Sequence, residues 1–264
     1  MGIPFLQIDA FTPVPFGANA GRVVLVRAAA DDAWMRHVAA EMNLSETAFL
    51  VRRTDGYGLR WFTPSVEIDL CGHATLASAH ALWQRGDLGS GDEARFHTRS
   101  GLLTATRRGD WIELDFPATP DEPAEPPPGL LDAIGAKAKY VGKSRFDYLV
   151  EVESEEVVKS LEPDHARLRT LPVRGVIVTA IATTKDWDFV SRFFAPGSGI
   201  DEDPVTGSAH CCLTPYWSKK LGRTSFTARQ LSARGGTLET DLVGDRVRLR
   251  GQAVTVFKGE IVDR

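Results

Sequence analysis

The sequence predicts an α/β chain made by duplication, in which two similar units each wrap several strands around one apolar, small-residue helix. The first observation behind this is an internal repeat. In "RWFTPSVEIDLCGHAT" from Arg60 and "RFFAPGSGIDEDPVTG" from Arg192, the residues Arg60, Phe62, Pro64, Ile68 and Asp69 recur as Arg192, Phe194, Pro196, Ile200 and Asp201. The common offset is 132, half of the 264-residue length, and chance supplies one or two such matches rather than five. The second is "FPATPDEPAEPPPG" (116–129), whose six prolines and three carboxylates have the composition of an extended linker. The third is the distribution of strand and helix patterns, which is similar on both sides of that linker. The units expected are 1–118 and 119–264, with the last strand, about 254–264, able to return to the first.

Alternation and β-branched content mark the strands in order: "FLQIDAF", "RVVLVRA", "LLTATRR" and "WIELDF" before the linker, then "FDYLVEV", "GVIVTAI", "RVRLRG" and "AVTVFKG" after it. "SETAFLV" opens a further apolar strand. Helical patterns are fewer. "DDAWMRHVAAEM" starts with Asp31 or Asp32 as a cap, and "ATLASAHALWQRG" ends on Gly86. "SAHCCLTPYWSKKLG" is the third, with Pro215 expected in its first turns or at a kink. "SEEVVKSLEPD" adds a short amphipathic helix.

The composition sets limits on function. The chain is 43% hydrophobic and 25% charged, which is enough for one large core or two moderate ones. A net charge of −4 and no basic run longer than a pair argue against a nucleic-acid partner. Cys71, Cys211 and Cys212 are too few and too badly placed for a disulfide framework, so a reducing cytoplasm is the expected setting. The opening "MGIPFLQIDAF" lacks the features of a signal peptide, and no apolar run approaches a membrane span. No glycine-rich phosphate loop, dinucleotide fingerprint or Cys/His set with zinc spacing is present, so neither cofactor nor metal is expected. Strands left exposed in each half would allow a symmetric dimer.

In both repeats a turn runs straight into a helix rich in Ala, Ser and Cys. Such a helix is apolar on nearly every face and belongs at the centre of its unit. Its N-terminus then presents unpaired N–H groups and positive dipole potential, a site for a carboxylate or a developing anion. Two such starts, brought together, would make a cleft with two anion-binding walls.

The segments "LSETAFL" (44–50), "DLCGHATLASAHAL" (69–82), "RFFAPGSGIDEDPVTGSAH" (192–210) and "RVRLRGQAVTVFKGEI" (246–261) resemble the PhzF-like family of phenazine-biosynthesis isomerases. The resemblance covers essentially the whole chain. It implies the diaminopimelate-epimerase-like fold, two similar α/β domains each with a mixed sheet around a central helix, an active site between them, a frequent dimer, and no metal or cofactor. It also implies site residues. The proton-shuttling carboxylate falls on Glu46 within Ser45-Glu46-Thr47, the Gly-His pair on Gly72-His73, and the substrate-holding turn on Asp203 to Ser208, including Thr206 and Gly207. The family's early Gly-Asn-Pro-Ala segment appears here as Ala18-Asn19-Ala20-Gly21, which keeps Asn19 but loses the proline. The related epimerases use a facing pair of cysteines. Here Cys71 aligns with Asp203, so two-thiol racemisation is not expected.

The residue types themselves fit this chemistry. A partly desolvated carboxylate at Glu46 would have a pKa raised toward neutrality, suited to moving a proton. His73, at a helix start, is favoured as a neutral donor or acceptor. His80 reads as a packing residue and His210 as a weaker candidate. Asp203 could orient a substrate amino or hydroxyl group, cap the second helix with Ser208, or do both. Asp201 and Glu202 read as solvated turn residues. Cys211 and Cys212 read as core packing, and a Cys71–His73 nucleophile pair is disfavoured by its short spacing. The expected activity is a proton-shift isomerisation of a small carboxylate substrate of the dihydro-hydroxyanthranilate type. Epimerisation with Glu46 and His73 as opposing bases and silent metabolite binding are the alternatives.

Overall fold

The computed structural model describes residues 2–28 and 30–262, so Asp263 and Arg264 at the end of the predicted last strand lie outside the described residues. The chain divides into two compact units: Met1–Asp115 with Arg250–Arg264, and Phe116–Leu249.

The first unit contains strands β1 (Ile3–Ala10) and β2 (Asn19–Val26), helix α1 (Asp32–Met42), and strands β3 (Thr47–Arg53), β4 (Gly56–Phe62) and the two-residue β5 (Glu67–Ile68). Helix α2 (Gly72–Arg85), β6 (Ala94–Thr98), β7 (Gly101–Arg108) and β8 (Trp111–Pro117) follow. β1 and β2 are antiparallel, β2 and β3 parallel, β3 and β4 antiparallel, β4 and β6 parallel, and β6 and β7 antiparallel.

The second unit contains β9 (Glu122–Pro123), α3 (Leu130–Ile134), β10 (Tyr140–Lys143), β11 (Tyr148–Glu151), α4 (Glu155–Ser160) and α5 (His165–Arg169). It continues with β12 (Val176–Ile181), β13 (Phe189–Phe194), α6 (Gly207–Leu221), β14 (Ser225–Gln230), β15 (Gly236–Val243) and β16 (Arg246–Gly251). The closing strand, β17 (Ala253–Ile261), pairs antiparallel with β1 and so belongs to the first unit. Along β10 to β15 the pairings run antiparallel, parallel, antiparallel, parallel, antiparallel. This is the succession found in the first unit. Each parallel pair needs a crossover, and the crossovers match as well. α1 joins β2 to β3 as α4 and α5 join β11 to β12, while α2 and α6 each follow the fourth strand of the series.

The repeated arginines show what the duplication preserves. Arg60 grips Glu67 through two nitrogens, with Nε–Oε1 at 2.7 Å, and its guanidinium lies over Phe62 at 5.1 Å. Arg192 grips Glu202 at 2.7 and 2.8 Å and lies over Phe194 at 4.8 Å. Each arginine also reaches its crossover helix, Arg60 to Asp32 in α1 and Arg192 to the Leu161 carbonyl just beyond α4. Glu202 is therefore a clasp residue rather than a solvated one. Asp201 is exposed and pairs with Arg169 at 2.9 Å.

Strand alternation separates two cores in the second unit. Val176, Val178, Val190 and Phe194 pack with the small helices, whereas Ile177, Phe189 and Phe193 pack against Leu213, Tyr216 and Trp217 of α6. The two long central helices are buried along most of their length, α2 from His73 to Ala79 without interruption. Both close on glycines in the left-handed region, Gly86 (φ 76°) and Gly222 (φ 67°).

Pro215 lies well inside α6, neither in its first turns nor at its end. Lacking an N–H, it leaves the Cys211 carbonyl without its helical donor. Thr119 N–H fills that place at 3.0 Å. The proline-rich segment is accordingly more than a tether: it is pinned here, at the Asp245 carbonyl through Ala118, and through the β9–β10 pairing. Among the described residues no helix is long and apolar enough to cross a membrane.

Candidate active site

In the first unit, three chain segments bring Glu46, His73 and Asn19 together. α1 ends on Asn43 in the left-handed region (φ 48°), and the chain then turns through Ser45 and Glu46 into β3. β3 runs parallel to β2, so Glu46 and Asn19 sit at the same end of neighbouring strands. α2 begins beside them at Gly72-His73. Gly21 faces this helix, where a Cβ would stand 3.3 Å from Ala77 Cβ and 3.5 Å from His73 Cδ2.

The His73 ring is 4% exposed and Glu46 is 8% exposed. Asn19 Nδ2 donates to His73 Nδ1 at 3.1 Å, which places the ring proton on Nε2. Nε2 is 3.2 Å from Glu46 Oε2. Burial pushes the His73 pKa down to about 3, so the ring is neutral near pH 7. Cys71 Sγ stands 3.5 Å from Nδ1 and 3.9 Å from Nε2. Cys71 occupies the cap position of α2 without a side-chain cap bond, and its carbonyl accepts from the Thr75 hydroxyl. Cys71, which short spacing alone would set aside, therefore joins the Glu46–His73 group. Glu46 is 25 residues upstream, and only the fold brings a carboxylate, an imidazole and a thiol together. Ser45 lies half-buried in the approach to Glu46, and Gly72 is the first residue of α2.

In the second unit the turn before α6 is a closed hydrogen-bond set. Thr206 Oγ1 donates to Asp203 Oδ2 at 2.6 Å, and Gln230 Nε2 donates to the Asp203 carbonyl at 2.7 Å. Gln230 Oε1 accepts from Thr206 N–H at 2.8 Å. Thr206, rather than Asp203 or Ser208, occupies the cap position, and no side-chain cap bond is made. Because Gln230 takes the Thr206 N–H, the N–H groups available to an anion begin at Gly207 and Ser208. Ser208 Oγ accepts from Arg174 at 3.4 Å, and Arg174 Nε is bonded to buried Asp147 at 2.8 Å. Gln230 and Arg174 escaped the sequence reading because neither lies in the turn motif; β14 and the loop before β12 deliver them.

The other histidines take structural places. His210 is fully buried, donates from Nδ1 to the Thr206 carbonyl at 2.8 Å and stacks on Phe189. Burial pushes its pKa down to about 4. His80 contacts Thr255 at 3.2 Å. Cys212 packs in the α6 core, where burial raises its thiol pKa.

The model of the phenazine biosynthesis-like protein family, PhzC-PhzF, matches residues 8–259. The chain belongs to this family. It is 52% identical over 263 residues to an uncharacterized isomerase of Halalkalibacterium halodurans, covering 99% of both chains. A PhzF-family protein from Enterococcus faecalis with a solved structure is 40% identical, with a TM-score of 0.94 over 99% of this chain and 100% of that one. A probable proline racemase from Agrobacterium radiobacter shares the fold at 14% identity, with a TM-score of 0.66 over 98% of this chain and 93% of its own. The mixed α/β fold is thus the one this family shares with racemases.

Proposed function

We propose that the chain is an isomerase that shifts a proton on a small, unsaturated, carboxylate-bearing substrate of the dihydro-hydroxyanthranilate type, by acid–base chemistry and without a cofactor. The observation that carries this reading is the buried Glu46 carboxylate 3.2 Å from the Nε2 of a neutral His73 whose other nitrogen is held by Asn19. In this reading Glu46 takes a proton from one carbon of an allylic system and returns it to another. His73 orients the carboxylate as a neutral hydrogen-bond donor, since its depressed pKa makes it a poor base at pH 7. Asp203, braced by Thr206 and Gln230, and Ser208 are the groups that the family resemblance assigns to the substrate's polar groups, and the free N–H groups at the start of α6, Gly207 and Ser208, suit a carboxylate.

The same geometry weighs against Glu46 and His73 as opposing bases. Two groups that flank one carbon each stand about 3 Å from it on opposite sides, roughly 6 Å apart. Glu46 and His73 are separated by half that distance.

The test is NMR in deuterated buffer with dihydro-hydroxyanthranilate and a panel of small unsaturated amino acids, using the wild type and Glu46→Gln. Double-bond movement or deuterium uptake that disappears in Glu46→Gln is the expected result. Turnover retained by Glu46→Gln removes Glu46 from the mechanism. No turnover on any compound, with a carboxylate ligand still raising the melting temperature, moves the reading to a binding role.

A further inference from the structure

Arg174, in the loop before β12, is held in place from more than one side. The tight turn between β10 and β11 is closed by Ser144, whose N–H donates to the Asp147 carbonyl at 2.8 Å and whose Oγ accepts from the Asp147 N–H at 3.1 Å. This turn presents Phe146 and Asp147 to the arginine. Asp147 is buried and takes Arg174 Nε at 2.8 Å and Nη2 beside it in a two-pronged grip. The guanidinium carbon stands 5.1 Å from the centre of the Phe146 ring and 5.7 Å from that of Phe193. No side chain fits at Gly175, where a Cβ would fall 2.3 Å from Phe193 Cζ and 3.0 Å from Asp147 Oδ1.

This grip leaves one edge of the guanidinium over. Of the arginine's five N–H groups, Nε–H and one hydrogen of Nη2 serve Asp147, and the second hydrogen of Nη2 is left for Ser208 Oγ at 3.4 Å. Among the described residues no acceptor is bonded to Nη1. The edge formed by Nη1 and Nη2 is one that takes a carboxylate by two parallel bonds. It also faces outward: the Arg174 side chain is 41% exposed against 2% for Asp147, so the ion pair turns its positive end to solvent. Ser208 ties this edge to the start of α6, because the residue whose hydroxyl meets Nη2 also offers a free N–H. Since Ser208 Oγ accepts from Arg174, the Ser208 hydroxyl hydrogen is left to donate to a ligand.

We propose that Arg174 determines specificity for an ionised carboxylate at the start of α6. Its Nη1–Nη2 edge and the Ser208 hydroxyl favour a charged carboxylate oxygen over the uncharged oxygen of a carboxamide or ester. Asp147 acts through Arg174 as a positioning residue. Lysine would not replace the arginine, since an ammonium cannot hold Asp147 by a planar fork and keep a second edge free. The assignment rests on the isomerase reading for its substrate class, a small carboxylate, but the binding it describes does not require turnover.

The experiment measures, by titration calorimetry on the full-length chain, the affinity for anthranilate, a planar carboxylate with no allylic proton to shift, and for its uncharged counterpart anthranilamide. The wild type is expected to bind anthranilate about tenfold or more tightly than anthranilamide. Arg174→Met should weaken anthranilate by about 10–100-fold and leave anthranilamide within about threefold, which abolishes the preference. Because Arg174→Met leaves Asp147 buried without its cation, Arg174→Met/Asp147→Asn removes both charges together. The double variant should lack the preference as the single one does, and circular dichroism shows that it is folded. Equal or absent binding of the two compounds by the wild type overturns the proposal, as does a preference that survives in the folded double variant. A chain that prefers anthranilate through Arg174 but moves no double bond refutes the isomerase reading alone. One that turns substrate over with no preference dependent on Arg174 refutes this assignment alone.

Discussion

At the start of α2 the polar groups are a carboxylate, an imidazole and a thiol, gathered from three chain segments. At the start of α6 they are a carboxylate, a threonine hydroxyl and a glutamine amide, bonded to one another in a ring of contacts between 2.6 and 3.2 Å. Both helices begin without a side-chain cap, both follow the same order of strands, and both are preceded by the same arginine–phenylalanine–glutamate clasp. The scaffold has been kept and the chemistry at its helix starts has diverged. The α2 start collects an acid, an imidazole and a thiol, groups whose chemistry is proton exchange. The α6 start collects groups whose donors and acceptors are already matched, which suits a surface that holds a shape and a charge in place.

The largest effect that sharpens this contrast is kinetic. With any substrate found in the deuterium screen, Glu46→Gln is expected to lower kcat by about 10²–10⁴-fold with little change in KM, because it deletes proton transfer and keeps the shape. Asp203→Asn, also nearly isosteric, is expected to act mainly on KM. If both substitutions lower kcat to the same degree, the division of labour between the two helix starts fails.

Much of this was legible in the sequence because it is local. The helix "ATLASAHALWQRG" announced its burial through small apolar residues and its end through Gly86, and β7, β8, β12 and β16 followed from alternation. Other features depend on partners distant in the chain. Glu202 looks solvated until Arg192 reaches it from ten residues away, and Pro215 looks disruptive until Thr119 supplies the missing donor. β4, β6, β13, β14 and β15 carry glycine, charge or aromatic residues that blur alternation, and they are strands because of what they pair with. The Glu46–His73–Cys71 group has the same character: each residue type was visible, but their meeting was not.

A pH series addresses the buried histidines, one beside each helix start. His73 and His210 are neutral in the folded chain, with pKa values lowered by burial to about 3 and about 4. Below the ordinary value of about 6.5 the unfolded chain takes up protons that the folded chain refuses, so stability falls as pH falls. The loss approaches about 1.4 kcal/mol per pH unit for each histidine, and amounts to about 2 kcal/mol each between pH 6.5 and 4.5. Urea midpoints should drop over that range, and His73→Asn and His210→Asn should each flatten the slope. A flat wild-type profile, or variant profiles parallel to it, would show that α2 and α6 do not share this property.

The smallest effect concerns the duplicated clasp. Glu67 is held by Arg60 and also by Arg99 at 2.6 Å, whereas Glu202 has no second cation among the described residues. The Arg60 side chain is 32% exposed, the Arg192 side chain only 12%. Arg192 also donates to the Leu161 carbonyl at 2.7 Å, so its loss strips a partly buried carboxylate and a helix-end acceptor together. Arg192→Met should therefore cost about 2–3 kcal/mol, discounted from the 3–5 kcal/mol of a fully buried pair because Glu202 keeps some water contact. Arg60→Met should cost about 1 kcal/mol or less, since Arg99 remains on Glu67. Denaturant melts of the two variants and of Arg60→Met/Arg99→Met decide the matter. If the double variant rises to the cost of Arg192→Met, the two clasps have the same intrinsic strength and differ only in backup. If Arg60→Met alone already equals Arg192→Met, the second cation contributes nothing and the two clasps are not asymmetric.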